Sequence, residues 1–583
     1  MRFSHLGRRV LCLVCMALAA PSLFATDLPQ PTPKHEVRAV WLTTIGGLDW
    51  PHTYSRSQAS AHRQQRELCD ILDRLKSAGI NTVLLQTRVR ATTIYPSALE
   101  PWDGCLSGIP GRSPGYDALR YAIDECHKRG MELHAWIVTV PVGRWNQAGC
   151  RRLRRLHPGM VRRIGSDGFM NPESGEVAGY LARLCGEIAG NYDVDGIHLD
   201  YIRYPESWPG GRNSADAERR RANITRIVRA VCNGVKRLRP WVKVSCSPVG
   251  KHADLARYSS GGWNAYDRVF QPAQQWAAEG ITDQLYPMMY FRDRQFFPFL
   301  FDWLEQRHSC QVVAGIGAYM LSAKERDWPL DDIVRQLGVA RRHGAGMAFF
   351  RSRFLTDNTK GLYRYLTDVW NTAPALPPPM PSTQTSPPAA PPSLSVVRTD
   401  SADYLTWAAA ENHSGAPYVL YNVYASPDGQ PDWYDARYLV AMRLRTNFIC
   451  IKRGGQHCQP ASARKYHYAV TAMDRYGRES EPVFCPERGT GRAEASPGAK
   501  VTPGGSGYSG FVAVVTLQGQ ITATLPCRNG RVDAGPVPDG IYTVRSLQRK
   551  GGSHRLALFT KRNGTVRMIG ESAIPLTIDT WKR

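Results

Sequence analysis

Between positions 37 and 351 the apolar residues fall into two alternating patterns. Short runs rich in Val, Ile and Leu lie at 37–44, 81–87, 131–140, 194–201, 241–246, 283–291, 311–317 and 345–351. Each has the length of a strand buried on both faces. Between the runs, apolar positions recur at helical spacing. Leu68, Ile71, Leu72 and Leu75 form one stripe, and Leu119, Ala122, Ile123 and Cys126 a second. Leu181, Leu184, Cys185 and Ile188 form a third, and Ile224, Ile227, Val228 and Val231 a fourth. Gly79, Gly130 and Gly190 stand just past predicted helix ends, where a left-handed cap favours glycine. Eight strand–helix units predict an α/β fold, a (β/α)8 TIM-type barrel with enlarged loops over residues 36–372. A doubly wound open sheet is the alternative, but no glycine-rich phosphate-binding turn follows the first run.

The pattern changes after the barrel. Residues 373–393 (APALPPPMPSTQTSPPAAPPS) predict a semi-rigid proline-rich linker. Residues 394–488 carry short alternating strands, including Tyr404-Leu405-Thr406-Trp407 and Tyr421-Asn422-Val423-Tyr424. With their Trp, strand Tyr residues and Ala469-Val470-Thr471-Ala472, they resemble a fibronectin type III β-sandwich. If this unit is mainly a spacer, deleting 394–583 leaves activity on soluble oligosaccharide intact. A Gly/Pro/Ser-rich stretch follows near 489–507, and 508–583 predicts a small C-terminal all-β module.

A chain of 583 residues is too long for one core. Arg2, Arg8 and Arg9, an apolar run over 10–20 and a small residue at Ala25 read as a secretory signal peptide, 1–25. That run is short for a membrane span, and no later segment resembles one. The expected location is therefore the periplasm or cell surface of a bacterium. Of the 14 cysteines, Cys12 and Cys15 leave with the signal, and the rest form no CxxC pair, which argues against a zinc site. Cys450 with Cys458 is the best candidate disulfide. The net charge is +24, and its densest run is 151–163 (RRLRRLHPGMVRR). This fits a generally basic exported protein, or attraction to an anionic envelope polymer or membrane surface. No nucleic-acid-binding motif accompanies it, and export argues against such a partner.

The candidate chemistry centres on 194–205, VDGIHLDYIRYP. Alternation puts His198 and Asp200 on one strand face. The same reasoning pairs His134 with Trp136, Gln86 with Arg88, and Tyr286 with Met288, Tyr290 and Arg292. In a TIM-type barrel these strand ends build the active site. Trp50, Tyr95, Trp102, Trp145, Tyr201, Tyr204, Trp208 and Trp263 lie in the loops above, and flat aromatic faces suit sugar rings. Glycoside cleavage needs a carboxylate and a proton donor. Asp200 is the first carboxylate, with Asp293 and Asp49 as candidate acids and Glu206 also near the rim; arginines flanking Asp293 oppose protonation there. Gln86, Arg88, His134, Trp136, His198, Tyr201, Arg203, Tyr290 and Trp50 are the candidate sugar-binding residues. His134 and His198 read more readily as hydrogen-bonded groups that support the site than as catalysts. Asp195 and Asp283 begin their strands and read as structural caps on the barrel floor. No HxH or HExxH spacing points to a metal, and no cofactor is expected.

Several ordered motifs resemble the glycosyl hydrolase-like 10 family of exported bacterial proteins. They are Val37-Arg38-Ala39-Val40-Trp41-Leu42 with Leu48-Asp49-Trp50-Pro51, Ala78-Gly79-Ile80-Asn81-Thr82-Val83 and Leu85-Gln86-Thr87-Arg88. Tyr95-Pro96-Ser97, Pro114-Gly115-Tyr116-Asp117, the 127–136 segment HKRGMELHAW, Asn171-Pro172 and the 195–205 block complete the set. The resemblance runs from 36 to about 370. It implies a TIM-type glycoside hydrolase acting on bacterial polysaccharide, with peptidoglycan glycan strands a plausible substrate and the strand-four Asp at Asp200. Family members often carry His-Ala-Trp-Leu-Asn after strand three, whereas Val138 stands at the polar position here. Strand four is also faintly similar to the DGxDxDxE pattern of family 18 chitinase-like hydrolases. His198 and Ile202 replace two of its acids, so that mechanism is rejected. A carbohydrate-binding or envelope scaffold protein on a degenerate, non-catalytic barrel is the competing expectation.

Overall fold

The computed structural model describes residues 32–210, 214–380, 386–398, 402–452 and 466–486. Of the C-terminal part it describes 510–516, 521–528, 531–534, 537–538, 540–546, 555–562, 565–568 and 577–579. The expected signal peptide and Cys458 lie outside these residues.

All eight predicted runs form parallel strands of one closed barrel: β1 (Arg38–Leu42), β2 (Thr82–Val89), β3 (Glu132–Val138), β4 (Gly196–Asp200), β5 (Lys243–Cys246), β6 (Gln284–Leu285), β7 (Gln311–Ile316) and β8 (Gly346–Phe349). Each pairs with the next, and β1 pairs with both β2 and β8, which closes the ring. The predicted stripes face the barrel. Helix α1 (Gln58–Ser77) buries Leu68, Leu72 and Leu75 and begins at a reciprocal Ser57–Ser60 cap. Helix α2 (Ala118–Lys128) buries Leu119, Ala122 and Ile123. The β3–β4 connection carries an insert, with helix α3 (Ala148–Leu156) beside a sheet of Pro141–Arg144, Val161–Ile164 and Asp167–Met170. Helices α4 (Gly175–Asn191) and α5 (Ser214–Leu238) pack on the outside of β4. Among the described residues no helix is long and apolar enough to cross a membrane.

Beyond the barrel lie two small antiparallel sheets. One is Leu394–Arg398, Ala402–Trp407 and Phe448–Lys452; the other is Leu439–Leu444, Leu420–Ser426, His467–Met473 and Val483–Phe484. Leu405, Trp407, Val423 and Val470 pack between them. The C-terminal strands form a separate seven-stranded sheet.

The expected linker is not free. The Leu376 N–H donates to the Lys34 carbonyl at 2.8 Å, and the Leu376 carbonyl accepts from Glu36 N–H at 3.0 Å. The Leu376 side chain packs with Leu439, Met442 and Met473 of the sheet pair. The sheet pair therefore plugs the barrel floor. Asp195 and Asp283 cap that floor as expected: Asp195 accepts from Leu133 N–H at 2.9 Å and Asp283 from Val244 N–H at 2.7 Å. Asp195 is also an anchor for the second unit. Its carboxylate takes Arg443 at 2.6 Å and Arg475 at 2.9 Å, with His127 at 2.7 Å. Arg443 reaches Glu132 at 3.1 Å, which also holds Lys243 at 2.7 Å. Arg475 reaches Asp193 at 3.2 Å, and Arg445 pairs with Asp193 as well. Burial alone would raise Asp195 and Glu132, but the surrounding cations win and hold both well below the carboxylate range.

Candidate active site at the barrel mouth

A column of polar side chains runs up the barrel interior between β3, β4 and β5. Register alternation builds it: His134 lies opposite Gly196, Trp136 opposite His198, and His198 opposite Ser245. Gly196 is required there, because a Cβ would sit 2.6 Å from the His134 ring. His198 Nε2 accepts from Trp41 Nε1 at 3.2 Å, so its proton lies on Nδ1 and is donated to Ser245 Oγ at 2.9 Å. Burial and then His134 push the His198 imidazole well below its usual range, so it is neutral.

Asp200 ends β4 at the top of this column. Oδ1 accepts from Tyr201 N–H at 2.8 Å and Ser247 Oγ at 2.7 Å, and Oδ2 accepts from Trp136 Nε1 at 3.0 Å. No cation pairs with it among the described residues. The residue is 5% exposed. Burial raises its carboxyl above the usual range and outweighs the Ser247, Tyr201 and Trp136 hydrogen bonds. Tyr201 stands beside it, 43% exposed, with φ +50° turning the chain outward. The Asp200 charge is the largest influence on the Tyr201 phenol, raising it, with burial second. Burial and then Asp200 raise Tyr290 well above its usual value. The Tyr290 ring lies 5.5 Å from Tyr319 and 5.5 Å from Phe350. Arg203 lies over Tyr201 at 4.9 Å, bonds Glu206 at 2.7 Å and leaves Nε buried without a partner. Asp200, Trp136, Tyr201, Arg203 and Tyr290 are thus brought to one place. Ser247, which bonds Asp200, and Tyr319 and Phe350, which pack on Tyr290, belong to the same rim and were not foreseen, because the sequence does not show which residues at the ends of their strands turn toward the mouth.

Other expected site residues serve the scaffold instead. Arg88 is fully buried: it forks onto Glu100 at 2.7 Å and donates to the Thr139 carbonyl at 2.7 Å, leaving no group for a sugar. Gln86 Oε1 accepts from the Thr44 and Ile45 N–H groups at 3.0 and 2.8 Å, which shapes the loop after β1. His134 is sealed in the interior and donates to Glu132 at 3.2 Å, and His198 is sealed in the column above it. Trp50 is fully buried and donates to the Gln64 carbonyl at 2.8 Å. Tyr95, Tyr204 and Trp208 are buried too, so half of the eight loop aromatics are packing residues rather than platforms.

The two candidate acids are also placed elsewhere. Asp49 is buried, accepts from Thr43 N–H at 2.9 Å and Thr43 Oγ1 at 2.8 Å, and pairs with Arg351. It pins the β1 loop to the β8 loop, and its acceptor sites are occupied. Asp293 is exposed on a turn after β6 and faces Arg335 at 3.4 Å. Neither contacts Asp200.

The site thus holds one buried carboxyl, in no ion pair among the described residues, beside aromatic side chains at the C-terminal end of a barrel strand, which is one of the two groups that glycoside cleavage calls for. Residues 36–218 and 209–321 match the glycosyl hydrolase-like 10 family model. The resemblance carried by the sequence motifs therefore holds over residues 36–321, most of the barrel. The chain is 27% identical over 484 residues to glycosyl hydrolase YngK of Bacillus subtilis (strain 168), covering 76% of this chain and 92% of that relative. It is 28% identical over 383 residues to glycosyl hydrolase DigH of Escherichia coli (strain K12), covering 57% and 87%. Among solved structures it is similar to the PgaB (BpsB) glycoside hydrolase domain of Bordetella bronchiseptica, at 12% identity and a TM-score of 0.38, covering 58% of this chain and 99% of that one. Among the described residues no cluster of three or more His, Cys, Asp or Glu is arranged to hold a metal ion.

Proposed function

We propose that this protein is an exported glycoside hydrolase acting on a bacterial envelope polysaccharide, with peptidoglycan glycan strands as the substrate class and Asp200 as the catalytic carboxyl. The observation that carries this is Asp200 itself: buried, unpaired with any cation among the described residues, and raised by burial. A carboxyl in that state holds its proton above the usual carboxylate range and hands it to the departing glycosidic oxygen as the C–O bond breaks, while a water molecule adds to the anomeric carbon and gives its proton to solvent. Trp136 and Ser247 fix its orientation, while Tyr201 and Tyr290 offer ring faces and phenol groups to a sugar. The N-terminal signal pattern and the basic charge support an envelope location. The sheet pair over 394–486 is read as a fibronectin type III-like unit docked under the barrel, with a separate C-terminal β module.

The missing contact between Asp200 and either Asp49 or Asp293 favours the second reading, a carbohydrate-binding scaffold on a degenerate barrel. Release of new reducing ends from purified glycan strands separates the two. The hydrolase reading expects ends from the parent protein and at least about a hundredfold fewer from Asp200→Asn, the scale of a lost acid catalyst. Binding without new ends would establish the scaffold reading instead.

A further inference from the structure

The insert between β3 and α4 carries Arg144, Arg151, Arg152, Arg154, Arg155, Arg162 and Arg163 against a single carboxylate, Asp167, over 141–170. Arg144, Arg151, Arg155, Arg162 and Arg163 are exposed. Among the described residues none of the seven forms an ion pair; the nearby Glu176 faces His157 instead, at 3.8 Å. Like charges so close repel one another, and folding gains nothing from leaving them unmatched.

The insert is nevertheless firmly built. Gly149 of α3 lies against the turn after β2, where a Cβ would come within 2.3 Å of the Arg90 carbonyl and 2.5 Å of the Ala91 carbonyl. Arg154 stacks over Trp145 at 3.9 Å, and its Nε is buried without a partner. The insert is also tied to the mouth. Thr139, at its root, donates from N–H and Oγ1 to the Asp200 carbonyl at 2.9 and 2.7 Å. Arg162 lies 4.9 Å from the Trp208 ring in the loop after β4.

We propose that this insert is a binding arm for the anionic groups of a polysaccharide chain threaded through the mouth. The proposal rests on the reading of Asp200 as the catalytic carboxyl and adds that the substrate carries carboxylate or phosphate groups beyond the cleaved bond. Helix α3, about 13 Å long, and the strand after it present Arg151, Arg155, Arg162 and Arg163 to solvent, and Arg162 lies over the Trp208 ring of the loop after β4. Guanidinium groups suit carboxylates and phosphates through paired donors.

The test uses the full chain carrying Asp200→Asn, so that binding is read without turnover. Affinity for polygalacturonate and for neutral dextran is measured across a salt series. The expected result is salt-sensitive binding to polygalacturonate that weakens about tenfold in Arg151→Gln/Arg155→Gln/Arg162→Gln, with dextran unaffected. Arg155→Gln alone, the most conservative change, gives about a twofold loss and guards against a folding defect in the triple variant. Unchanged polygalacturonate binding in both variants overturns the arm. So does an equal loss for dextran, or an arginine-dependent preference for phosphatidylglycerol vesicles over polygalacturonate. If the parent releases no reducing ends while arginine-dependent polygalacturonate binding persists, the hydrolase reading fails and the arm stands.

Discussion

Arg475→Met tests whether the sheet pair is part of the barrel or merely tethered to it. The Arg475 side chain is 2% exposed and bonds Asp195 at 2.9 Å, Asp193 at 3.2 Å and the Val194 carbonyl at 3.2 Å. Methionine keeps most of the packing volume and removes the charge. Breaking a buried ion pair on one side costs about 3–5 kcal/mol when the partner is left bare. Here Asp195 keeps Arg443 and His127, and Asp193 keeps Arg445 and the Tyr418 hydroxyl at 2.6 Å. The loss should therefore fall near the low end, about 3 kcal/mol. Urea unfolding at neutral pH measures it, and proteolysis at the 373–393 segment reports undocking. A double cycle with Asp195→Asn should show coupling of at least about 1 kcal/mol. The pH dependence has a fixed sign. The cations depress the folded Asp195 pKa, so their stabilisation is present above its unfolded value near 4 and is lost as pH falls through the lower folded value. The gap between parent and variant should close only well below pH 4. A loss under about 1 kcal/mol, or a gap that closes between pH 6 and 8, would refute the buried-anchor reasoning.

Three further outcomes follow from the same geometry. Asp200→Asn should gain stability relative to the parent as pH rises from about 4 to neutral, because burial raises the folded pKa and ionisation there costs stability, while its amide N–H, set against the Trp136 Nε1 donor, costs about 1–3 kcal/mol at every pH; a parent–variant difference in urea midpoint that does not change with pH would count against this. Gly149→Ala should destabilise by about 1–3 kcal/mol, since the new methyl meets the Arg90 and Ala91 carbonyls, and a loss under half of that would mean α3 yields easily. A chain ending at residue 393 should be poorly soluble or unfold at markedly lower urea. It leaves Glu132 with Lys243 but without Arg443, and Asp195 without Arg443 and Arg475. A fully stable, active truncation would restore the spacer role.

Sequence alone determined the barrel. Each of its strands is a local apolar run and its helices carry a 3.6-residue stripe, so the pattern that drives burial is written in adjacent positions. The same locality placed Asp200 at a strand end on one face with His198, because alternation fixes which side chains of a strand share a face. What surrounds those side chains was decided only by closure of the barrel. His198 and Asp200 share a strand face, yet one is sealed between Trp41 and Ser245 while the other lies at the rim. Arg88 and Asp49 look alike in sequence to substrate-binding groups, and only their partners turn them into struts: Glu100, across the loop after β2, and Arg351, 302 residues away. The docking of the sheet pair was equally illegible, because Asp195 and Arg475 are 280 residues apart. Burial, pairing and depth depend on which residues far apart in the chain arrive together, and one-dimensional periodicity carries no record of that.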